Sequence, residues 1–247
     1  MIVTTQYADI PVNGSAMNTL IVQPKADEKK YPGIICYSDI FQLTGPMVRS
    51  CVRLAGYGFV VAAPEIYHRL EPPGTVLAFD DAGRTRGLED AANISVAEFD
   101  TDCRAVIDYL AQHPDVAKGH IGAAGYCIGG HLAFRASLQP DVKATCCFYG
   151  TGIHNGKLGK DEDAGSLQRA DEIRGELLLV WGALDPHVPA DGRAKIKEAL
   201  RAHGVRFTER SYEAEHAFMR DVGARFDPEA TDLAFGEMIS FFRRIFA

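Results

Sequence analysis

His120-Ile121-Gly122-Ala123-Ala124-Gly125-Tyr126-Cys127-Ile128-Gly129-Gly130 carries more structural information than any other segment of this 247-residue chain. Apolar residues lead into Gly-x-Cys-x-Gly-Gly, and an apolar helical pattern follows at once, from 128 to about 138. The order predicts a strand at 119–124, a tight turn and a helix. A side chain on such a strained turn is presented as a nucleophile, and here Cys127 occupies that position. Glycine is required at 125 and 129 because a Cβ there would meet neighbouring backbone. The turn also leaves the N–H of Ile128 at the positive end of a helix, where an oxyanion or a thiolate is favoured. The competing reading is a buried thiol on a glycine-rich turn.

On either side the same alternation continues. Short β-branched runs predict strands at 2–10, 18–23, 33–37 and 58–62 before the turn, and at 143–149, 176–181 and 205–211 after it. Helices are expected at 46–56, 190–203 and 229–245. Another begins at the capping-box pattern Ser95-Val96-Ala97-Glu98 and buries Val96, Phe99, Cys103, Val106, Ile107 and Leu110 on one face. Residues 64–92 read as an elaborated loop containing a short helix, and 150–172 as a second loop, either a mobile lid or a solvated surface segment. Strand–helix–strand alternation predicts an α/β fold: one domain over residues 1–247, with a mostly parallel central sheet and helices on both faces. Ligands then collect at the carboxyl ends of the strands.

Composition narrows the function. A net charge of −7 leaves no basic face for nucleic acid, and no run approaches the roughly 20 apolar residues of a membrane span. The first residues alternate apolar and polar without a basic region ahead of an apolar block, so a signal peptide is not expected and a cytoplasmic location is. The six cysteines form no C-x-x-C pair, and all except Cys127 read as buried thiols. No histidine spacing suggests a metal site.

A nucleophilic thiol needs a base, and the base an orienting acid. Asp185 follows the strand ending near Trp181, and His216 follows the strand ending near Tyr212, so each falls on a loop beyond a strand end. The order Cys127, Asp185, His216, with separations of 58 and 31 residues, matches the nucleophile–acid–base order of α/β-hydrolases. His187 is the rival base, though its closeness to the acid makes it hard to aim at another strand. His131 reads as a packing or hydrogen-bonding residue, and His68, His113, His120, His154 and His203 as loop or surface residues.

Taken together, these motifs resemble the dienelactone hydrolase (carboxymethylenebutenolidase) family of α/β-hydrolases over nearly the whole chain. Gly-Tyr-Cys-Ile-Gly-Gly at 125–130, Asp185 with Val188-Pro189, His216 with Phe218, and Tyr149-Gly150 carry the resemblance. It implies a single-domain, monomeric hydrolase without cofactor or metal, acting on small lactones that bear a carboxylate. It also implies that Asp39 stands where the family has a glutamate that holds the resting thiol, one methylene shorter here. The second oxyanion donor is then the N–H of Ile40, beside that of Ile128. Phe41 and Tyr149 are implied at the substrate, with Arg220 and either Arg84 or Arg86 gripping its carboxylate. A broader carboxylesterase or thioesterase, and a non-catalytic ligand-binding or redox-sensing thiol protein, are the alternatives.

Overall fold

Asn13 and Gly14 both adopt positive φ, 45° and 83°. That is the requirement of the two-residue hairpin turn whose twist matches its strands. It joins β1 (Val3–Val12) to β2 (Ser15–Pro24) in antiparallel register. The structure is a computed structural model and describes residues 1–25 and 28–247. β2 pairs antiparallel with β4 (Val60–Pro64), and every later pairing is parallel. The remaining strands are β3 (Tyr31–Tyr37), β5 (Val116–Tyr126), β6 (Val142–Phe148), β7 (Glu176–Gly182) and β8 (Arg206–Tyr212). Together they form one eight-stranded sheet in the order β1-β2-β4-β3-β5-β6-β7-β8. The expected strand at 58–62 starts two residues later, because Gly58 with φ 98° still belongs to the turn.

Among the described residues six α-helices surround the sheet: α1 (Gly45–Gly56), α2 (Asp81–Asn93), α3 (Val96–Gln112), α4 (Ile128–Ala136), α5 (Ala190–Ala202) and α6 (Pro228–Ile245). α1 and α6 bury Cys51, Leu54, Met238 and Phe242 against one face. α3, α4 and α5 bury Val106, Leu132 and Ile196 against the other. Successive strand residues serve opposite faces, as Cys146 and Cys147 do. The expected capping box is present: the Ser95 hydroxyl accepts from the Glu98 N–H, and the Glu98 carboxylate accepts from the Ser95 N–H at 2.7 Å.

Two loop expectations are refined. The short helix within 64–92 is thirteen residues long, started by the Asp80 carboxylate accepting the Gly83 N–H at 2.8 Å. Its buried positions are Gly83, Gly87 and Ala91, so it docks through small residues rather than an apolar stripe. The 150–172 segment is anchored to the body: Ile153, Leu158 and Leu167 are buried, and the buried Arg135 donates to Ala164 O and Ser166 Oγ.

Strand order reverses beside β3. The chain leaves β3 for β4 on one side, then returns through α2 and α3 to β5 on the other. The carboxyl ends of β3 and β5, with Tyr37 opposite Gly125, therefore flank the crevice where α/β sheets bind ligands.

Candidate active site

β5 ends at Tyr126 and α4 starts at Ile128, so Cys127 must turn the chain alone. It does so at φ 60° and ψ −122°, a region that costs a residue with a Cβ about 1–3 kcal/mol. The turn closes tightly on neighbouring backbone. A Cβ at Gly125 would meet Gly129 O, and one at Gly129 would meet Tyr37 O and Ser38 O. The glycines thus bring α4 against the carboxyl end of β3. The Cys127 N–H donates to Phe148 O at 3.1 Å, and the side chain remains partly exposed.

Asp185 and His216 reach the same rim from the loops after β7 and β8. His216 Nδ1 lies 2.7 Å from Asp185 Oδ2, and both residues are buried. The other carboxylate oxygen accepts the His187 N–H at 2.7 Å, which fixes the acid. Burial works against ionising Asp185, yet its bond with His216 and the charge there hold the carboxyl below its usual range. Burial also works against a charged His216. The negative charge of a Cys127 thiolate, the bond to Asp185 and the contact with the sulfur outweigh burial and push the imidazole up to about 9. The three expected residues therefore meet. Tyr149 closes the far side, with φ 39° and its ring edge-on to His216 at 5.1 Å.

The Asp39-Ile40-Phe41-Gln42 turn follows β3 on the other side of Cys127. The Ile40 and Ile128 N–H groups, expected as oxyanion donors, have no acceptor within the protein among the described residues. Asp39 departs from expectation. Its Oδ1 accepts the Phe41 N–H at 2.9 Å and its Oδ2 accepts Arg220 Nη2 at 2.8 Å. Among the described residues no hydrogen bond joins it to Cys127. The short side chain is consumed by its own turn and by the arginine.

Arg220 is correspondingly less free than expected of a carboxylate clamp. Besides Asp39, it lies over the rings of Phe41 at 4.9 Å and Phe79 at 4.4 Å. Arg86 is a structural residue: both its Nε and Nη2 donate to Glu71 at 2.5 Å. Arg84 makes no ion pair among the described residues, and its charge, after burial and those of His216 and Arg225, helps depress His187. Of the two arginines, Arg86 is thus held by a carboxylate and, among the described residues, Arg84 is not. His187 packs edge-on to His216 at 4.7 Å, so it borders the site, while His216 holds the acid.

Two other histidines complete the comparison. His131 is buried between Thr151 O at 3.0 Å and Ser166 Oγ at 2.7 Å, as expected of a packing residue. His68, expected in a loop or at the surface, lies in the turn after β4 with its ring covered, bonded to Ser15 Oγ at 2.9 Å and 3.2 Å from Asp102. Gln42 escaped notice in the sequence. It is buried with φ 65°, accepts the Tyr67 N–H through Oε1 and donates to Thr75 O through Nε2. It thereby ties the Ile40 turn to the following loop. A lone loop glutamine carries no sequence signal for such a role.

The family model for the dienelactone hydrolase family matches residues 17–246. A Saccharomyces cerevisiae protein provisionally named a carboxymethylenebutenolidase is 37% identical, over 99% of this chain and 93% of its own length. A Pseudomonas putida protein named carboxymethylenebutenolidase is 29% identical, over 82% of this chain and 81% of its own. Among solved structures, a provisionally assigned dienelactone hydrolase from Klebsiella pneumoniae superposes with a TM-score of 0.87 at 24% identity, covering 99% of this chain and 100% of that one. That last likeness concerns the fold.

Proposed function

The chain belongs to the dienelactone hydrolase family, and we propose that it opens small activated lactones and esters through a thioester formed on Cys127. The observation that carries this reading is the meeting of Cys127, on its strained turn, with a His216 that Asp185 orients.

The sulfur anion attacks the carbonyl carbon, and the Ile40 and Ile128 N–H groups receive the charge that develops on oxygen. Loss of one such donor typically raises a barrier by about 2.7–4 kcal/mol. Collapse breaks the ring C–O bond, and the departing enolate takes the proton of the His216 imidazolium. The acyl group then sits on sulfur. At that moment Cys127 no longer carries charge, so the largest influence raising His216 disappears. The imidazole becomes the neutral base needed to deprotonate the attacking water. One residue thus serves as acid in the first half and base in the second, switched by the charge of the sulfur itself.

Arg84 supplies the cation for a substrate carboxylate. Because Arg220 is already matched by Asp39, the site also suits neutral esters, and a broad carboxylesterase activity is the second reading. Stopped-flow hydrolysis of 4-nitrophenyl acetate tests the nucleophile. The native protein is expected to give a burst of nitrophenol equal to its active sites, and Cys127→Ala none. Sustained turnover by a folded Cys127→Ala protein excludes the mechanism.

A further inference from the structure

A cavity of about 230 Å³ opens between α1 and the start of α6. Neither Cys127 nor His216 lines it among the described residues. Its inner wall is formed by Asp39, Arg220 and Tyr149. It is therefore a compartment behind the Asp39–Arg220 pair rather than the catalytic crevice itself.

Its chemistry is specific. Three guanidiniums border it, and each has its own carboxylate: Arg49 with Asp221 at 2.6 Å, Arg53 with Asp232 at 3.1 Å and Arg220 with Asp39 at 2.8 Å. These three positive and three negative side chains balance, so the cavity offers a charged ligand no net attraction, and among the described residues Arg220 Nε is left buried without a partner beside it. Met47, Met219, Phe226 and Phe235 supply apolar and polarisable surface, the kind that favours an aromatic ring. At the base, Ser50 Oγ and Tyr126 Oη lie 2.7 Å apart. A hydroxyl pair sharing one bond still has one hydrogen and several lone pairs to offer. In size, an apolar cavity of about 150 Å³ admits benzene, so this one accommodates a six-membered ring with a small substituent.

We propose that this cavity binds an uncharged aromatic ring bearing a hydroxyl group, a phenol, with the ring against Met47, Met219 and Phe235 and the hydroxyl at the Ser50–Tyr126 pair. The proposal uses none of the groups assigned as nucleophile, base or acid, so it stands or falls apart from the hydrolase mechanism.

Phenol titrated into the full-length protein labelled with ¹³C at its methionine methyls reads the site directly. The chain has five methionines; Met47 and Met219 line the cavity, while Met17 lies in the core on the opposite face of the sheet. Saturable shifts are expected at Met47 and Met219 and none at Met17. Benzene is expected to bind roughly fivefold more weakly than phenol, the worth of one neutral hydrogen bond. Benzoate should leave Met47 unmoved at the same concentration. Ser50→Ala, a small truncation, should remove the preference for phenol over benzene while leaving benzene binding intact. Alkylating Cys127 beforehand should change nothing. Absence of a saturable Met47 shift, benzoate binding as tight as phenol, an undiminished phenol preference in Ser50→Ala, or loss of binding on alkylation each overturns the proposal.

Discussion

Cys127 holds a backbone conformation that only its surroundings make tolerable, and those surroundings are two missing β-carbons. Gly129→Ala would drive a methyl group into Tyr37 O and Ser38 O. The expected loss is at least about 1–3 kcal/mol of stability, read from urea unfolding, together with a collapse of the acylation burst. A native-like midpoint would show that the turn has slack this account denies it. His216 should give each half-reaction its own pH dependence. Its pKa is raised from 6.5 to about 9, so acylation should proceed with the imidazolium up to that region and decline as pH rises through about 9. Deacylation needs the neutral ring and should set in at lower pH, because the acylated sulfur no longer bears charge. Single-turnover measurements of each half-reaction against pH separate the two; coincident profiles contradict the switch. The linkage has a definite sign. A base whose folded pKa lies above its unfolded one stabilises the fold fully below pH 6.5, and that contribution vanishes as pH rises through about 9.

At the scale of elements, α2 shows what a sequence reveals and what it conceals. Its buried positions are Gly83, Gly87 and Ala91, and a Cβ on Gly87 would meet Ile40 O. The helix therefore sits directly on the Ile40 turn, proposed to carry the second oxyanion donor. Gly87→Ala should push that turn outward and reduce kcat by about 10²-fold, the typical cost of a misplacement near 1 Å. The chemical denaturation midpoint should change far less than activity does. Equal effects on both would mean that the contact is merely structural. A reader of apolar periodicity cannot see such a helix face, because small residues leave no hydrophobic signal. The α3 boundary was legible for the opposite reason: Ser95 and Glu98 satisfy each other locally. The proximity of Cys127, Asp185 and His216 was legible too, since each follows a strand and parallel strands deliver their carboxyl ends to one rim. The pairing of Arg86 with Glu71, and of Asp39 with Arg220, was not, because both depend on how loops return to one another through space.

Across the whole molecule, a net charge of −7 contrasts with the positive charge of Arg84, which makes no ion pair among the described residues and whose field reaches His187. Such a local cation should draw anionic substrates against the overall field, and the attraction should weaken with salt because exposed charges are screened within about 10 Å at 0.1 M. Arg84→Glu is expected to lower kcat/KM for a carboxylate-bearing lactone at least tenfold, roughly the worth of one charge-assisted bond, while sparing 4-nitrophenyl acetate. A parallel loss on both substrates would remove Arg84 from the binding role. The sheet order explains why one crevice gathers these groups. Reversal beside β3 opens a gap between the ends of β3 and β5, and the loops after β7 and β8 bring Asp185 and His216 toward it. Catalysis by this arrangement requires covalent capture at that point. Its most direct test is rapid acid quenching during turnover of an activated aryl ester, followed by intact-mass and peptide mass spectrometry. One acyl group per chain, confined to the peptide containing Cys127, is the predicted result. Full turnover with no acylated cysteine, or an acyl group carried by a different residue, would contradict it.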